Sequence, residues 1–385
     1  MTGPRVAIVA GELSGDLLAA GLMRELRSCC PDATFEGIGG PAMAEQGLAS
    51  RVPMEKLSLM GVTEILGHLP ELLRLRRELV RSWRDDPPDV FIGVDLPDFN
   101  LSLAKRLRRS GIATVHYVSP TVWAWRRGRL RGIRRAVSRM LTLYPFEQQF
   151  YLEADVDAVC VGHPAADRYP RDPDVAAARR TLGHSAEQRL VALLPGSRAS
   201  EVERLLPAFL GAARRLAQRS DRPRFVIPVA SPALYQRIAD AVAEYGLAEQ
   251  TRLLAGGTAE AVTAADVAIT ASGTATLEVM LAKRPMVVAY RLAPISYWLV
   301  RWLIRVPWVS QPNLLAGEAL VPELFQGDVE PQRLADEAQR WLDDEQARAA
   351  LVERFYMLHD DLARGADHRA AAAVLEVLDR GRHER

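Results

Sequence analysis

Short, β-branched apolar runs alternate with longer amphipathic stretches along this 385-residue chain, and few folds accommodate that alternation. It is typical of parallel strands joined by crossover helices. In the first half it predicts strands at 6–10, 35–38, 90–94, 114–118, 140–143 and 158–161. In the second half it predicts strands at 190–194, 225–229, 267–270 and 285–289. The predicted fold class is therefore α/β, with two doubly wound parallel sheets.

A proline-rich segment, residues 163–173, separates the two halves. Its three prolines resist both helix and central strand, so we interpret it as a linker. At ~150 residues per domain, the length also favours more than one domain. We expect an amino-terminal domain at 1–168, a second domain at 169–340 and a helical tail at 341–385. The tail is free to pack back on the amino-terminal domain or on a partner subunit, which leaves a homodimer open.

The composition, 49% hydrophobic and 25% charged, is that of an ordinary globular protein and excludes a disordered chain. The three cysteines form no CxxC pair, so neither a disulfide scaffold nor a structural zinc site is expected. The first apolar run is too short for a signal peptide, and no run approaches the ~20 residues that span a bilayer. We expect a cytoplasmic protein that is free to touch a membrane surface.

Positive charge is concentrated although the formal net charge is only +1, because residues 101–140 contain eleven Lys or Arg and no Asp or Glu. The part with aromatic neighbours comprises Trp123, Trp125, Arg126 and Arg127. This segment is either a solvated helix face or a surface for phosphates, those of a substrate or of anionic lipid. A nucleic-acid binder is a third interpretation, which rests on this segment alone.

A second aromatic segment, residues 295–308, includes Trp298 and Trp302 and is apolar nearly all round. It is too short to span a bilayer. Its pattern predicts core packing or a subunit contact, and the alternative is contact with a lipid interface or an acyl chain.

The first predicted strand is followed by a glycine turn, residues 11–16, and a helix. Such a turn presents backbone N–H groups at a helix amino terminus to an anion. The spacing is not GxGxxG, and the acidic side chains repel a pyrophosphate, so a sugar suits this loop better. Ser14 and Asp16 are therefore candidate sugar ligands, unless one of them caps the helix.

The strand at 90–94 is followed by Asp95 and then by Pro97-Asp98-Phe99-Asn100. Ligands of open α/β sheets bind at the carboxyl ends of strands, so Asp95 occupies the position of a catalytic carboxylate. We expect it to act as general base toward a hydroxyl nucleophile, with Asp98 as a substrate ligand. The alternatives are that both aspartates are caps, or that Asp98 or Asn100 caps a helix beginning at Leu101.

The second predicted domain begins with a strand, a turn containing Ser197 and Arg198, and a helix. Ser200 and Glu203 have the spacing of a capping box in that helix. A guanidinium, N–H donors and the positive end of the helix dipole converge at this point. Ser197 and Arg198 therefore predict a clamp for a diphosphate.

A later helix start contains Ser272, Gly273 and Thr274, small residues that let the backbone approach a phosphate. Glu278 follows about one helical turn on, placed to accept hydrogen bonds from two ribose hydroxyls; the alternative is an exposed glutamate on a capped helix. Two such helix starts in one domain favour a nucleoside diphosphate. Gln311, at the start of a QPNLLAG segment, is a candidate sugar ligand.

The better-known hydrolase and nucleotide motifs are missing, since no HExxH, GxSxG or P-loop occurs. Of the seven histidines, only His116 and His163 are placed for a cleft. A lone histidine is more often structural than catalytic, so direct catalysis is the less common outcome for each.

Eight segments, taken in order, resemble the lipid A disaccharide synthase family of glycosyltransferases. They are AGELSGD (10–16), LMGVTEILG (59–67), FIGVDLPDFN (91–100), HYVSPTVWAWRRGR (116–129), GHPAAD (162–167), LLPGSRASEVE (193–203), ASGTATLEVMLAKRPMVVAYR (271–291) and QPNLLAGE (311–318). Eight ordered segments are far more specific than any one of them. The tail after about residue 330 is the part least like the family.

The resemblance implies an inverting hexosyltransferase of GT-B architecture, with two Rossmann-like domains facing across a cleft. It implies UDP-2,3-diacylglucosamine as donor and 2,3-diacylglucosamine 1-phosphate (lipid X) as acceptor. The implied products, in lipopolysaccharide biosynthesis, are the β-1,6-linked lipid A disaccharide 1-phosphate and UDP. The family's functional aspartate, arginine and asparagine map onto Asp95, Arg198 and Asn313.

Both implied substrates carry acyl chains, which gives the two tryptophan segments a reason to face lipid. The resemblance thus implies a peripheral protein on the cytoplasmic face of the inner membrane. No metal and no cofactor are expected, since no DxD motif follows a strand of the second domain and Arg198 with the helix starts can stabilise the leaving UDP. A UDP-sugar 2-epimerase on the same frame is the alternative, because it would need neither the acceptor nor the lipid-facing segments.

Overall fold

The computed structural model describes residues 3–58, 65–122, 127–219, 221–292 and 307–383. The chain divides into two compact units: unit 1 comprises Met1–Asp167 and Leu362–Arg385, and unit 2 comprises Arg168–Asp361. Each contains one sheet in which every strand pairing is parallel. The α/β fold class is confirmed.

Unit 1 has a seven-stranded sheet in the order β3-β2-β1-β4-β5-β6-β7. Its strands are β1 (Arg5–Ala10), β2 (Thr34–Ile38), β3 (Ala49–Ser50), β4 (Val90–Val94), β5 (Ala113–Tyr117), β6 (Arg139–Thr142) and β7 (Ala158–Cys160). Its first helices are α1 (Leu13–Cys29), α2 (Pro41–Glu45), α3 (Glu55–Ser58), α4 (Ile65–Asp85), α5 (Pro97–Arg108), α6 (Leu130–Arg134) and α7 (Pro145–Leu152). The short helix α8 (Pro164–Arg168) lies at the boundary between the units.

Unit 2 has a six-stranded sheet in the order β10-β9-β8-β11-β12-β13. Its strands are β8 (Leu190–Leu194), β9 (Arg224–Val229), β10 (Thr251–Ala255), β11 (Val267–Ala271), β12 (Met286–Tyr290) and β13 (Glu323–Phe325). Its helices are α9 (Val175–Thr181), α10 (Ala199–Leu216), α11 (Pro232–Glu244), α12 (Thr258–Ala264), α13 (Thr274–Leu281), α14 (Gln311–Ala316), α15 (Pro331–Asp343) and α16 (Glu345–Leu362).

Strand β4 shows how the sequence builds the core of unit 1. Its residues Val90, Ile92 and Val94 lie in one apolar cluster and Phe91 lies in the cluster on the other face of the sheet. All four are completely buried. A parallel strand covered on both faces is apolar at every position, which is why the central strands are predicted from the sequence.

The chain end does not form one helical tail. Helix α16 belongs to unit 2 up to Asp361, whereas α17 (Ala366–His383) belongs to unit 1. The apolar face of α17 joins the same cluster as α1 and strand β1, and the Asp167 carboxylate accepts the N–H groups of Gly365 and Ala366 at its start. The expected tail at 341–385 is therefore shared between the two units.

Candidate functional site

The order of the strands reverses in unit 2 between β8 and β11, which pair with each other although β9 and β10 precede β11 in the chain. At such a switch point, the loops after the two strands diverge and leave a crevice. A cavity of 470 Å³ lies there, lined by Leu194, Gly196, Ser197, Arg198, Glu201, Pro228, Ala230, Thr258, Ala271, Ser272, Gly273, Thr274, Ala275 and Glu278. The structure thus brings together six predicted ligands, Ser197, Arg198, Ser272, Gly273, Thr274 and Glu278.

The loop after β8 is shaped by Glu201. Its carboxylate accepts hydrogen bonds from the backbone N–H groups of Ser197 (3.2 Å) and Arg198 (3.4 Å), and the Arg198 guanidinium donates to it at 3.1 Å. The predicted capping box of Ser200 and Glu203 is wrong by two residues, because α10 begins at Ala199. The Arg198 side chain is 73% exposed, so its guanidinium is accessible to a ligand.

The loop after β11 needs glycine at position 273, whose backbone φ is +152°. Thr274, exposed, begins α13, and Glu278 lies one turn further along that helix. Burial raises the pKa of the Glu278 carboxyl. The Tyr169 hydroxyl, which the sequence did not single out, is buried without a hydrogen-bond partner among the described residues. Burial raises its pKa, and the charge of Glu278 adds to that effect.

Asn313 does not line this cavity, and its amide is saturated. Its Nδ2 donates to the Val321 oxygen and to Glu323 Oε1, both at 2.9 Å. Its Oδ1 accepts the N–H groups of Leu320 (2.8 Å) and Val321 (2.9 Å). With 1% exposure and no free polar atom, the Asn313 side chain joins α14 to the segment before β13 and to Glu323. Its catalytic role, which the resemblance implies, stays a prediction.

Gln311, the first residue of α14, also lies outside the residues that line the cavity. Its backbone N–H donates to the Thr276 hydroxyl at 3.3 Å, while its side-chain Oε1 is buried without a hydrogen-bond partner in the described part of the chain. The structure ties Gln311 to α13, and its role as a sugar ligand stays a prediction.

Unit 1 has its own switch point between β1 and β4, and Asp95 follows β4 there. The Asp95 carboxyl is largely buried, and burial raises its pKa against the opposing effect of a hydrogen bond from the Leu96 N–H. Asp95 and Leu96 both have left-handed backbone, with φ of 52° and 46°. Side chains make this conformation costly, and such strain is often found at functional sites.

The glycine turn after β1 differs from its prediction. Asp16 is 2% exposed, and its carboxylate accepts the N–H groups of Gly40, Ala42 and Met43 at 2.8–3.1 Å. Asp16 therefore holds the N-terminus of α2, and it does not cap α1, whose preceding residue is Glu12. Its role as a sugar ligand stays a prediction. Ser14 is exposed in the first turn of α1 and remains accessible.

Two exposed leucines in α1, Leu13 (68%) and Leu17 (52%), escaped the sequence analysis. Their i, i+4 spacing places them on one face of the helix. Apolar side chains on a helix predict burial in general, so only the structure shows that these two face solvent.

The helix after Asp95 begins at Pro97, not at Leu101, so Asp98 and Asn100 lie within its first turn. Asp98 is exposed and forms an ion pair with Arg129. Asn100 and His116 are buried, and burial lowers the pKa of His116 to about 3, so this ring is neutral. His163 Nδ1 accepts the N–H of Ala165 at 3.1 Å, a local structural contact.

Part of the basic segment has structural partners in unit 1. Arg134 pairs with Asp155 at 3.3 Å, and Arg139, 3% exposed, pairs with Asp157 and Glu376. Trp123, Trp125, Arg126, Trp298 and Trp302 lie outside the described residues, as does the side chain of Arg127. The proposed lipid-facing role of the tryptophan segments therefore stays a prediction.

The described ranges contain no group of three or more His, Cys, Asp or Glu side chains arranged to hold a metal ion. Within the same ranges, no helix combines the length and apolar character needed to cross a membrane.

Solved structures of the same fold define the class. The glycosyltransferase of kitacinnamycin matches with a TM-score of 0.64 at 18% identity, over 97% of this chain and 99% of that one. The UDP-GlcNAc 2-epimerase from Neisseria meningitidis, bound to UDP-GlcNAc, matches with a TM-score of 0.63 at 11% identity, over 98% of this chain and 100% of that one. The fold is that of the GT-B glycosyltransferases and epimerases.

Closer relatives decide between these two activities. The family model of the lipid-A-disaccharide synthetases matches residues 6–374. The lipid-A-disaccharide synthase of Alkalilimnicola ehrlichii is 55% identical over 373 residues, 96% of this chain and 98% of that protein. That of Aeromonas hydrophila is 49% identical over 376 residues, 98% of this chain and 99% of that protein. The chain belongs to the lipid-A-disaccharide synthetase family and is a hexosyltransferase; the epimerase alternative retains only a distant structural likeness.

Proposed function

We propose that the chain condenses UDP-2,3-diacylglucosamine with 2,3-diacylglucosamine 1-phosphate, forming the β-1,6-linked disaccharide 1-phosphate and UDP. In this proposal unit 2 binds the UDP part of the donor, and Asp95 of unit 1 removes the proton from the acceptor 6-hydroxyl. The observation that carries it is the half-buried Asp95, with its left-handed backbone, at one switch point, together with the cavity at the other.

The cavity of unit 2 suits a nucleoside diphosphate. The N-termini of α10 and α13 both open into it, and the exposed Arg198 guanidinium stands beside the first. These groups can hold the diphosphate and offset the negative charge that develops on the leaving UDP. Glu278 offers the two hydrogen-bond acceptors that a ribose needs.

Asp95 suits a general base. Burial raises its carboxyl pKa, which makes the carboxylate a stronger base than an exposed aspartate. Inversion at the anomeric carbon requires that the acceptor hydroxyl attack from the face opposite UDP, so the base and the diphosphate clamp belong to different groups of residues.

The exposed pair Leu13 and Leu17 supports contact with lipid. Both leucines lie at the start of α1. This helix packs against the end of β4, next to Asp95, through Gly15: a Cβ built on Gly15 would lie 3.7 Å from the Val94 oxygen. Exposed apolar side chains on this helix fit substrates that carry acyl chains at a membrane surface. We propose peripheral attachment to the cytoplasmic face of the inner membrane on this basis.

The test measures UDP release from the diacylated donor in detergent, with and without the acceptor 1-phosphate. We expect release that depends on the acceptor, and a loss of about 10²–10⁴-fold in kcat for Asp95→Ala, with UDP affinity retained. Asp85→Ala, an exposed aspartate at the end of α4, is the matched control and should leave the rate unchanged. Release without acceptor would contradict the transferase proposal, and full activity of Asp95→Ala would move the base elsewhere.

A further inference from the structure

The backbone at Asp95 and Leu96 is the least relaxed part of the switch point in unit 1. Two successive residues with side chains are left-handed there, and Val118, which follows the neighbouring β5, is left-handed as well, with φ of 77°. A backbone of this kind persists only where surrounding groups hold it in place. The Asp95–Leu96 turn therefore needs a side chain that holds it.

Asn100 makes the contacts that hold it. This side chain is completely buried, and its Nδ2 lies 2.9 Å from the Asp95 oxygen and 3.2 Å from the oxygens of both Val94 and Val9. One amide group thus ties the end of β1, the end of β4 and the residue that carries the proposed base.

The peptide group between Asp95 and Leu96 joins Asn100 to the proposed base. Its oxygen accepts the hydrogen bond from Asn100 at 2.9 Å, and its N–H, that of Leu96, lowers the pKa of the Asp95 carboxyl against the larger effect of burial. Because a peptide group is planar, fixing the oxygen also fixes the direction in which the N–H points. The Asn100 amide is therefore linked to the carboxylate through one rigid unit.

The space for Asn100 is created by Gly93. A Cβ at position 93 would lie 2.8 Å from Asn100 Cβ and 3.1 Å from His116 Nδ1, closer than such atoms pack. Its φ is not in the left-handed region, so glycine is needed for the close approach and not for the backbone. The Asn100 side chain therefore packs directly against Gly93, next to the neutral ring of His116.

We propose that Asn100 is a positioning residue for the reaction: by holding the oxygen of the Asp95–Leu96 peptide against the ends of β1 and β4, it fixes the left-handed backbone of Asp95 and so aims the Asp95 carboxylate at the acceptor hydroxyl. The inference rests on the proposed function, in which Asp95 is the base. Asn100 itself is buried and touches no substrate.

The test uses the UDP-release assay on full-length Asn100→Ala, with kcat, KM and the pH dependence of kcat as readouts. We expect kcat to fall roughly 100-fold, the effect of a misplaced catalytic group, with KM for both substrates within about threefold of the wild type. The acid limb of the pH profile should move to higher pH, because Asp95 loses the N–H that opposes the effect of burial on its pKa. Gly93→Ala, which keeps the amide but displaces it, should give the same signature.

Two controls separate positioning from stability. Leu103→Ala removes an equally buried side chain from α5 that holds none of these carbonyl groups, and should lower Tm without moving the pH profile. Gly132→Ala, where an added Cβ meets nothing within 4 Å, controls for the glycine substitution.

The outcomes distinguish this inference from the proposed function. If Asp95→Ala is inactive but Asn100→Ala and Gly93→Ala keep the wild-type pH profile and lose activity only with their folded fraction, the positioning role is overturned and the transferase mechanism stands. If Asp95→Ala is fully active, the role of Asp95 fails and the positioning role fails with it.

Discussion

Replacing Asn313 by alanine should destabilise unit 2 before it affects any chemical step. The buried amide makes four hydrogen bonds, to Val321 twice, Leu320 and Glu323, at 2.8–2.9 Å. At about 1 kcal/mol net for each, the loss is ~4 kcal/mol, and the partners left unpaired add to it. At roughly 2–4 °C per kcal/mol for a unit of this size, Tm should fall by about 8–16 °C.

Thermal unfolding of the full chain, followed by circular dichroism with and without UDP, measures this effect. Gln332→Ala is the control, since that amide makes one exposed hydrogen bond, to Asp336, and should leave Tm almost unchanged. An Asn313→Ala protein with wild-type Tm and lost activity would refute the reasoning, because it would give Asn313 the direct role in the reaction that the family resemblance implies.

Two further predictions concern a buried lysine and the exposed leucines. Burial lowers the pKa of Lys283 from 10.5 to about 8 in the folded chain. Burying the charged ammonium therefore lowers the free energy of unfolding by its full amount below pH 8, and this destabilisation disappears as the pH rises from 8 to 10.5. The stability gain of Lys283→Met over the wild type, measured by urea unfolding, should therefore shrink across that window; a gain independent of pH would contradict the assignment. The double variant Leu13→Ser, Leu17→Ser should float less with anionic lipid vesicles than the wild type, because it removes two exposed apolar side chains, and equal flotation would contradict the proposed lipid contact.

The sequence predicts the central strands of both sheets and misses three at the edges. Strands β3, β10 and β13 each have a neighbour on one side only. In β10, residues Thr251–Ala255, no residue is fully buried, so the apolar run that marks a central strand does not form. Strands β3 and β13 are only two and three residues long, so each gives little local pattern from which to predict it.

Ligand residues are predicted from the sequence where neighbouring residues place the side chain, and not where its partners are distant in sequence. Arg198 and Glu278 are placed by their own strand, turn and helix, which a local pattern describes, and both line the cavity. Asp16 lies in the first turn of α1, yet its carboxylate accepts hydrogen bonds from N–H groups more than twenty residues further along the chain. A short polar side chain reaches only the backbone that lies next to it in space. Tertiary contacts, which a local sequence pattern does not show, therefore decide whether it binds a ligand or holds a loop.

The chain has only two asparagines, one in each unit, and both side chains are buried against backbone groups. Asn100 contacts the oxygens of Val9, Val94 and Asp95, and Asn313 contacts the backbone of Leu320 and Val321 just before β13. An amide suits this task because its NH₂ group donates hydrogen bonds to backbone oxygens, as it does in both asparagines, and because it stays neutral at every pH. A carboxylate in place of Asn100 would put a second negative charge next to Asp95 and would have no N–H to give to the three carbonyl groups. Neutral amides can therefore hold the loops while the charged groups, Asp95, Arg198 and Glu278, remain available to substrates. This division explains why residues of one sequence motif, such as Asp95 and Asn100, need different tests: loss of the first should remove a reacting group, and loss of the second should misdirect it.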